Sequence, residues 1–293
     1  MSAAPTTTAA DAGLVVQGTG GGLREVLDRR HLLGMLVRKE LRVRYRASVL
    51  GLGWSYVKPA VQFLVYFVAL GLVLRQNAIG DYAVFLFGGL VVVTTFAEAV
   101  GNATRSVVVN GDLVRKIFLP RELFPVSSVC VAGVHLVPQL VVLVVGALVA
   151  GWRPDAVGLV ALVAGLALVG VLALGVGLLL SAVNVLFRDA ENVVDLVLTV
   201  LVWTSPVLYP WQLVADLVGR DSLLLTAYQL NPLTVAVDLV HRGTWATASP
   251  DNLAQMAPGL PWRTGVAFAV GLVLVALGQR VFRRLSGRFA QEL

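Results

Sequence analysis

Arginine side chains cluster ahead of the first long apolar stretch of the sequence. Four of them fall within nine positions: Arg38, Arg42, Arg44 and Arg46. A guanidinium group binds phosphate oxygens through two parallel hydrogen bonds. The cluster therefore indicates a site for the phosphate groups of a lipid. A basic flank that holds anionic lipid and fixes the orientation of the chain explains the same residues equally well.

Side chains arranged for catalysis are harder to find. One charged group lies between residues 216 and 242, and its spacing matches no catalytic pattern: Asp216, Arg220, Asp221, Asp238, His241 and Arg242. His135 lies in an apolar run without a nearby second metal ligand, so we expect it to bond a neighbouring helix. Glu98 and Asp195 fall near the ends of apolar runs, where a carboxylate reaches water. None of the three lysines stands in a Gly-x-x-x-x-Gly-Lys-Ser/Thr loop. We predict no catalytic residue, metal site or cofactor in this chain.

The composition indicates which elements must position these residues. Of the 293 residues, 57% are hydrophobic and 14% are charged, against roughly 25% charged in soluble domains. The mean hydropathy is +0.82, and residues 123–152 and 156–187 contain no Asp, Glu, Lys or Arg. Each of these runs exceeds the ~20 residues that a helix needs to cross a bilayer. The pattern excludes a soluble enzyme and indicates a polytopic all-α membrane protein.

We predict six transmembrane helices, centred on residues 59–74, 82–100, 123–150, 156–186, 193–208 and 264–281. The apolar stretch 222–237 is short and is broken at Asn231–Pro232. We expect re-entrant helices there, because backbone in lipid must be hydrogen-bonded internally. With both termini cytoplasmic, 18 of the 23 lysines and arginines lie inside. This asymmetry fixes the orientation and explains the net charge of +6 without an acidic partner such as nucleic acid.

The sequence further predicts three regions: a disordered cytoplasmic tail at 1–22, an amphipathic interfacial helix at 23–48 and a transmembrane domain at 49–293. In the second region, Leu33, Val37, Leu41 and Tyr45 form one apolar line at helical spacing, which Glu40 and Arg44 interrupt. A short helix is also predicted in the loop after the second span. Its residues are Asp112, Leu113, Val114, Arg115, Lys116, Ile117 and Phe118, with Asp112 as its cap.

Five motifs occur in the order and at the spacing that are typical of a known protein family. They are the run 42–54 with Lys58–Pro59, the loop 110–122, Asn184–Asp189, Ser205–Pro210 and Asn231–Pro232. The sequence resembles the ABC-2 polysaccharide-export permeases, which serve O-antigen, teichoic acid, capsule and galactan export. The resemblance implies a homodimer in the bacterial inner membrane, paired with two copies of a separate ATPase subunit that holds ATP and magnesium. It also implies that the short helix at 112–118 couples to this ATPase, and that the substrate is a polysaccharide on an undecaprenyl-type diphosphate. The high ratio of arginine to lysine suggests a GC-rich genome, which favours galactan or teichoic-type polymers over O antigen.

A sliding glycan needs many weak contacts, and aromatic rings can supply them. Phe63, Tyr66 and Phe67 share one helical face, and Trp203 and Tyr209 lie near the end of the fifth span; we expect these five side chains to line the path. An aromatic belt at the membrane surface is the simpler explanation for any one of them. Two other functions stay open, namely an ABC-2 exporter of drugs or small molecules and an integral-membrane enzyme acting on glycolipids.

Overall fold

The computed structural model describes residues 22–46, 48–49, 51–74, 79–116 and 119–293. The tail predicted at 1–22 lies outside these residues apart from Gly22, and so do Ile117 and Phe118. The described helices are α1 (Leu23–Asp28), α2 (Arg30–Arg44), α3 (Trp54–Tyr66), α4 (Tyr82–Val109), α5 (Gly111–Lys116), α6 (Leu123–Val149), α7 (Ala156–Leu186), α8 (Ala190–Val200), α9 (Trp211–Val218), α10 (Leu223–Leu230), α11 (Pro232–Gly243), α12 (Pro250–Ala254), α13 (Leu260–Ser286) and α14 (Phe289–Glu292).

Five of the six predicted spans are long apolar helices. Helix α3 continues as a π-helix through Phe67–Val73, and this combined element is 20 residues long. With α4, α6, α7 and α13 it makes five single helices, within the part of the chain that the structure describes, that are long and apolar enough to cross a bilayer. Helix α7 has 31 residues and carries no charge. A helix that is apolar on every side is covered by lipid or by other helices all round. The predicted all-α membrane fold is confirmed.

The fifth predicted span is not one continuous helix. Helix α8 is only 11 residues long, and turns follow it from Leu201. Pro206 lacks a backbone N–H and restricts the residue before it, so the turns do not return to an α-helix at this point. The whole segment nevertheless follows α4 from one end to the other. A Glu191 carboxylate oxygen lies 3.5 Å from Arg105, and the Tyr82 hydroxyl donates to the carbonyl of Leu208 across 3.0 Å.

Helices α10 and α11 meet at Asn231–Pro232 with a bend of 67°. Helix α11 runs antiparallel to the first half of α7: Ala236 lies beside Gly165, and Gly243 lies beside Gly158. Trp245, just beyond α11, donates to the carbonyl of Gly80 across 2.6 Å. The chain after α11 therefore lies at the end of the bundle at which α4 begins, and the re-entrant arrangement stays a prediction.

The two ends of the bundle are distinct. The α5 end holds Gly22, α5, residues 119–122 and α14, where Gln279 donates to Glu122 across 3.1 Å. The opposite end holds the starts of α4, α7 and α13 together with α9 and α12. Both ends of the described chain lie at the α5 end. Helices α7 and α13 run side by side so closely that a Cβ on Gly175 would lie 2.7 Å from the Val275 nitrogen. Glycine is required at such a close helix contact.

Candidate functional site

Helix α2 lies against α6 at the α5 end of the bundle. The line predicted to be apolar, Leu33, Val37, Leu41 and Tyr45, is half-buried along its whole length. Part of this face meets protein, whereas the sequence predicted that it would lie on lipid. Arg38, Arg42 and Arg46 are exposed, and none of the three forms an ion pair with a described residue.

The two residues that interrupt the apolar line attach α2 to the bundle. The carboxylate of Glu40 accepts hydrogen bonds from the hydroxyls of Ser127 and Ser128 on α6, each across 3.4 Å. Burial raises the pKa of Glu40, although Arg44, both serines and Lys39 act in the opposite direction. Arg44 donates to Glu98 on α4 across 2.5 Å. The apparent defects of the amphipathic pattern are therefore the specific contacts of this helix.

Glu98 belongs to a polar network that connects three helices. Its carboxylate lies 2.7 Å from Nδ1 of His135 on α6, and Nε2 of the same imidazole lies 2.9 Å from the Tyr45 hydroxyl. The expectation that His135 bonds a neighbouring helix is confirmed. Helix α4 continues for 11 residues beyond Glu98, so the helix is longer than the predicted span, and the position of Glu98 near the membrane surface stays a prediction. Asp195, also expected near water, pairs with Arg105 on α4.

Helix α5 presents one charged face and one apolar face. Asp112, Arg115 and Lys116 are exposed, Leu113 is half-buried and Val114 is 8% exposed. The helix begins at Gly111, and the carbonyl of Asn110 accepts from the Leu113 and Val114 amides. Asp112 is therefore not the cap that the sequence predicted; it lies in the first turn, where its charge still suits the helix dipole. Because the apolar side faces its own chain, the charged side is the one available to a partner.

The aromatic residues predicted to line a path form two neighbouring groups. Phe63 and Phe67 stack with ring centroids 5.5 Å apart, and Phe63 also contacts Phe87 edge-on at 5.4 Å. Tyr66 meets Trp203 at 6.4 Å, and the Tyr209 hydroxyl donates to the Trp203 carbonyl. Phe63, Tyr66 and Phe67 are half-buried, whereas Trp203 is 54% exposed. An apolar groove of about 600 Å³ between α3, α4 and α6 includes Phe63 and Phe87 in its lining.

Three of the charged residues predicted as a group, Asp238, His241 and Arg242, serve separate structural contacts. Asp238 accepts from Arg263 across 2.8 Å, and both side chains are buried. Arg242 donates to Asp155 across 2.8 Å and lowers the pKa of that carboxyl, while the His241 imidazole contacts the Phe85 carbonyl across 2.9 Å. No three of the metal-binding residue types come together within the described residues.

Sequence reasoning missed Arg263, which fixes α11 to α13. Its guanidinium donates to the carbonyl of Gln229 as well as to Asp238. The only signal in the sequence was a single arginine at the start of an apolar run. The aromatic row that continues from Phe67 through Tyr82 and Phe85 to His241 was missed as well, because its members come from distant segments.

Comparison with known proteins agrees with this architecture. Residues 31–244 match the model of a family described as ABC-2 type transporter. The chain is 32% identical over 272 residues to the O-antigen export system permease protein RfbA of Myxococcus xanthus, a match that covers 92% of this chain and 98% of the relative. It is 29% identical over 270 residues to a protein of the same name from Klebsiella pneumoniae, covering 89% of this chain and 95% of the relative. Since the family model spans most of the sequence and both relatives align over nearly their full lengths, this chain belongs to the ABC-2 type transporter family.

Proposed function

We propose that this protein is the membrane permease of an ABC exporter that moves a lipid-linked polysaccharide across the bacterial inner membrane. The observation that carries the proposal is the similarity over nearly the whole chain to O-antigen export permeases. The names of these relatives favour O antigen as the substrate. The high ratio of arginine to lysine had favoured galactan or teichoic polymers instead. In this proposal the α5 end is cytoplasmic.

The transporter contains two copies of this chain and two copies of a separate ATPase. In this proposal the second copy packs against α3 and α8, which expose apolar side chains at the edge of the bundle. These include Leu64 at 58% and Leu196 at 70% exposure. The exposed charges of α5, Asp112, Arg115 and Lys116, are the surface that meets the ATPase. ATP and magnesium bind to that partner.

The lipid diphosphate of the substrate meets α2 in this proposal. Arg38, Arg42 and Arg46 are exposed and available to an anion, whereas Arg44 is engaged with Glu98. The glycan then passes the aromatic side chains of α3 and Trp203. Rings suit this role because they offer broad apolar faces without fixing a register.

The proposal is tested in the native strain by removing the gene and supplying it again on a plasmid. Without the permease, polymer should disappear from the outer surface, and lipid-linked polymer should accumulate inside. An ATPase should co-purify with the tagged permease, and a form of it that cannot hydrolyse ATP should cause the same accumulation. Unchanged surface polymer in the deletion strain would refute the proposal. Increased sensitivity to drugs with unchanged polymer would favour the small-molecule exporter instead.

A further inference from the structure

A second hydrophobic core lies at the α5 end, separate from the main core of the bundle. Its buried members come from six helices: Val107, Val114, Phe124, Leu178, Ala182, Val185, Phe282 and Phe289. Leu113 and Leu293 pack against it from the side. This core joins α5 to the ends of four long helices and to α14, and α5 itself lies against α4 and α14.

Helix α5 cannot hold its own orientation. It has six residues, about 9 Å of helix, and isolated helices of this length are not stable in water. The buried side chain of Val114 attaches α5 to the second core. Asn110, just before it, accepts a hydrogen bond from Lys39 of α2 across 2.8 Å. The remaining side of α5 is supported by α14, since a Cβ on Gly111 would lie 3.7 Å from both Cβ and Cδ2 of Leu293.

Helix α14 is in turn fixed to the last span and to the loop that follows α5. Phe289 is fully buried and meets Phe282 of α13 edge-on, with ring centroids 5.3 Å apart. The guanidinium of Arg121 lies 5.7 Å from the centre of the Phe289 ring and also donates to the carbonyl of Ser286. Burial lowers the pKa of Arg121. A displacement of α5 would therefore reach α13 through Leu293 and Phe289.

We propose that α14 is part of the coupling element: it holds α5 in position and transmits its movement to α13, so that α5 and α14 move as one body. This inference rests on the proposed docking of the ATPase to α5. It assigns a role in coupling to a segment far from α5 in sequence.

The first test replaces Phe289 by alanine in the full complex, with Gln291→Ala on the exposed side of the same helix as the matched control. Membrane abundance, bound ATPase, ATP hydrolysis and surface polymer are measured together. Phe289→Ala should keep the ATPase bound and lower the polymer exported per ATP by about tenfold. Phe289→Leu should restore most of it, and Gln291→Ala should behave as wild type. Unchanged export per ATP in Phe289→Ala would overturn the proposal.

A second test does not depend on the stability of the alanine variant. Cysteines at Gly111 and Leu293, with Cys130 replaced, would have Cβ atoms 3.7 Å apart, within the usual range of disulfides. The disulfide should form on mild oxidation, and the cross-linked complex should export at the wild-type level because the two helices move together. A pair at Gly111 and Gln291 is the control and should cross-link poorly. Failure to cross-link, or ATP hydrolysis without export in the cross-linked form, would overturn the proposal. Should wild-type complexes export no polymer, the proposed function fails, while cross-linking still reports on the contact between α5 and α14.

Discussion

Arg44 on α2 and Glu98 on α4 form an ion pair across 2.5 Å, with their side chains 32% and 27% exposed. The pair joins a helix that the sequence places at the membrane surface to the middle of a transmembrane helix. Through His135 and Tyr45 the same contact reaches α6 and returns to α2. Helix α2 is therefore attached to the bundle at a defined position.

Removing Arg44 should loosen α2. Arg44→Ala leaves Glu98 with His135 as its single partner among the described residues and should lower the free energy of unfolding by about 1–2 kcal/mol, between the values for exposed and buried pairs. Arg42→Ala is the control, because this side chain is exposed and forms no ion pair with a described residue. Thermal unfolding and hydrogen exchange of α2 in detergent provide the measurement. Equal exchange in the two variants would show that the pair does not hold the helix.

The carboxyl of Glu40 should make the attachment of α2 sensitive to pH. Burial raises its pKa above 4.5 in the folded protein, so its favourable contribution is complete below that pH and is lost as pH rises through the folded value. Glu40→Gln can still accept from Ser127 and Ser128 without a buried charge. The variant should gain in melting temperature over the wild type as pH rises from 4.5 to neutrality.

The same melting series with Asp221→Asn serves as the control, because that carboxyl is exposed. If the difference between Glu40→Gln and the wild type does not change with pH, the carboxyl of Glu40 is not the group responsible.

Cysteine labelling should place both ends of the α10–α11 pair on one side of the membrane. Asp221 and Asp251 flank the pair and are exposed; cysteines at both positions should react with an impermeant reagent in intact cells. A cysteine at Gly287 should react only after permeabilisation, and Cys130 must be replaced beforehand. Labelling of only one of the two flanking positions would show that the pair crosses the membrane.

Leucine at Phe63, Tyr66 and Phe67 should slow export. Each ring contact contributes about 0.5–1.5 kcal/mol, so a single replacement should have a modest effect and the triple replacement a severe one. Exchanges between phenylalanine and tyrosine should be nearly silent. Trp262→Leu, an exposed aromatic residue on α13 outside the group, is the control. Normal surface polymer at normal abundance of the triple variant would remove α3 from the path and direct attention to Phe85, Phe87 and Trp203.

The sequence predicted the helical membrane fold, five long spans and the bend at Asn231–Pro232, because these depend on local hydrophobicity and on proline. The length of apolar runs is a property of consecutive residues, and lipid imposes it directly. The position of the fifth span was predicted but its structure was not, since a window of hydropathy does not reveal that the helix ends at Val200 and is followed by turns.

Tertiary structure alone decided what the charged residues do. Glu40 and Arg44 interrupt an amphipathic pattern, and only the neighbouring α4 and α6 show that each has a partner there. Likewise, Val114 and Phe289 are 175 positions apart in the sequence, yet they share one core. The hydrophobicity of a run of consecutive residues indicates whether that segment lies in lipid. The ion pairs and the α5–α14 contact form between segments that are distant in sequence, and the sequence does not indicate that these segments are close in space.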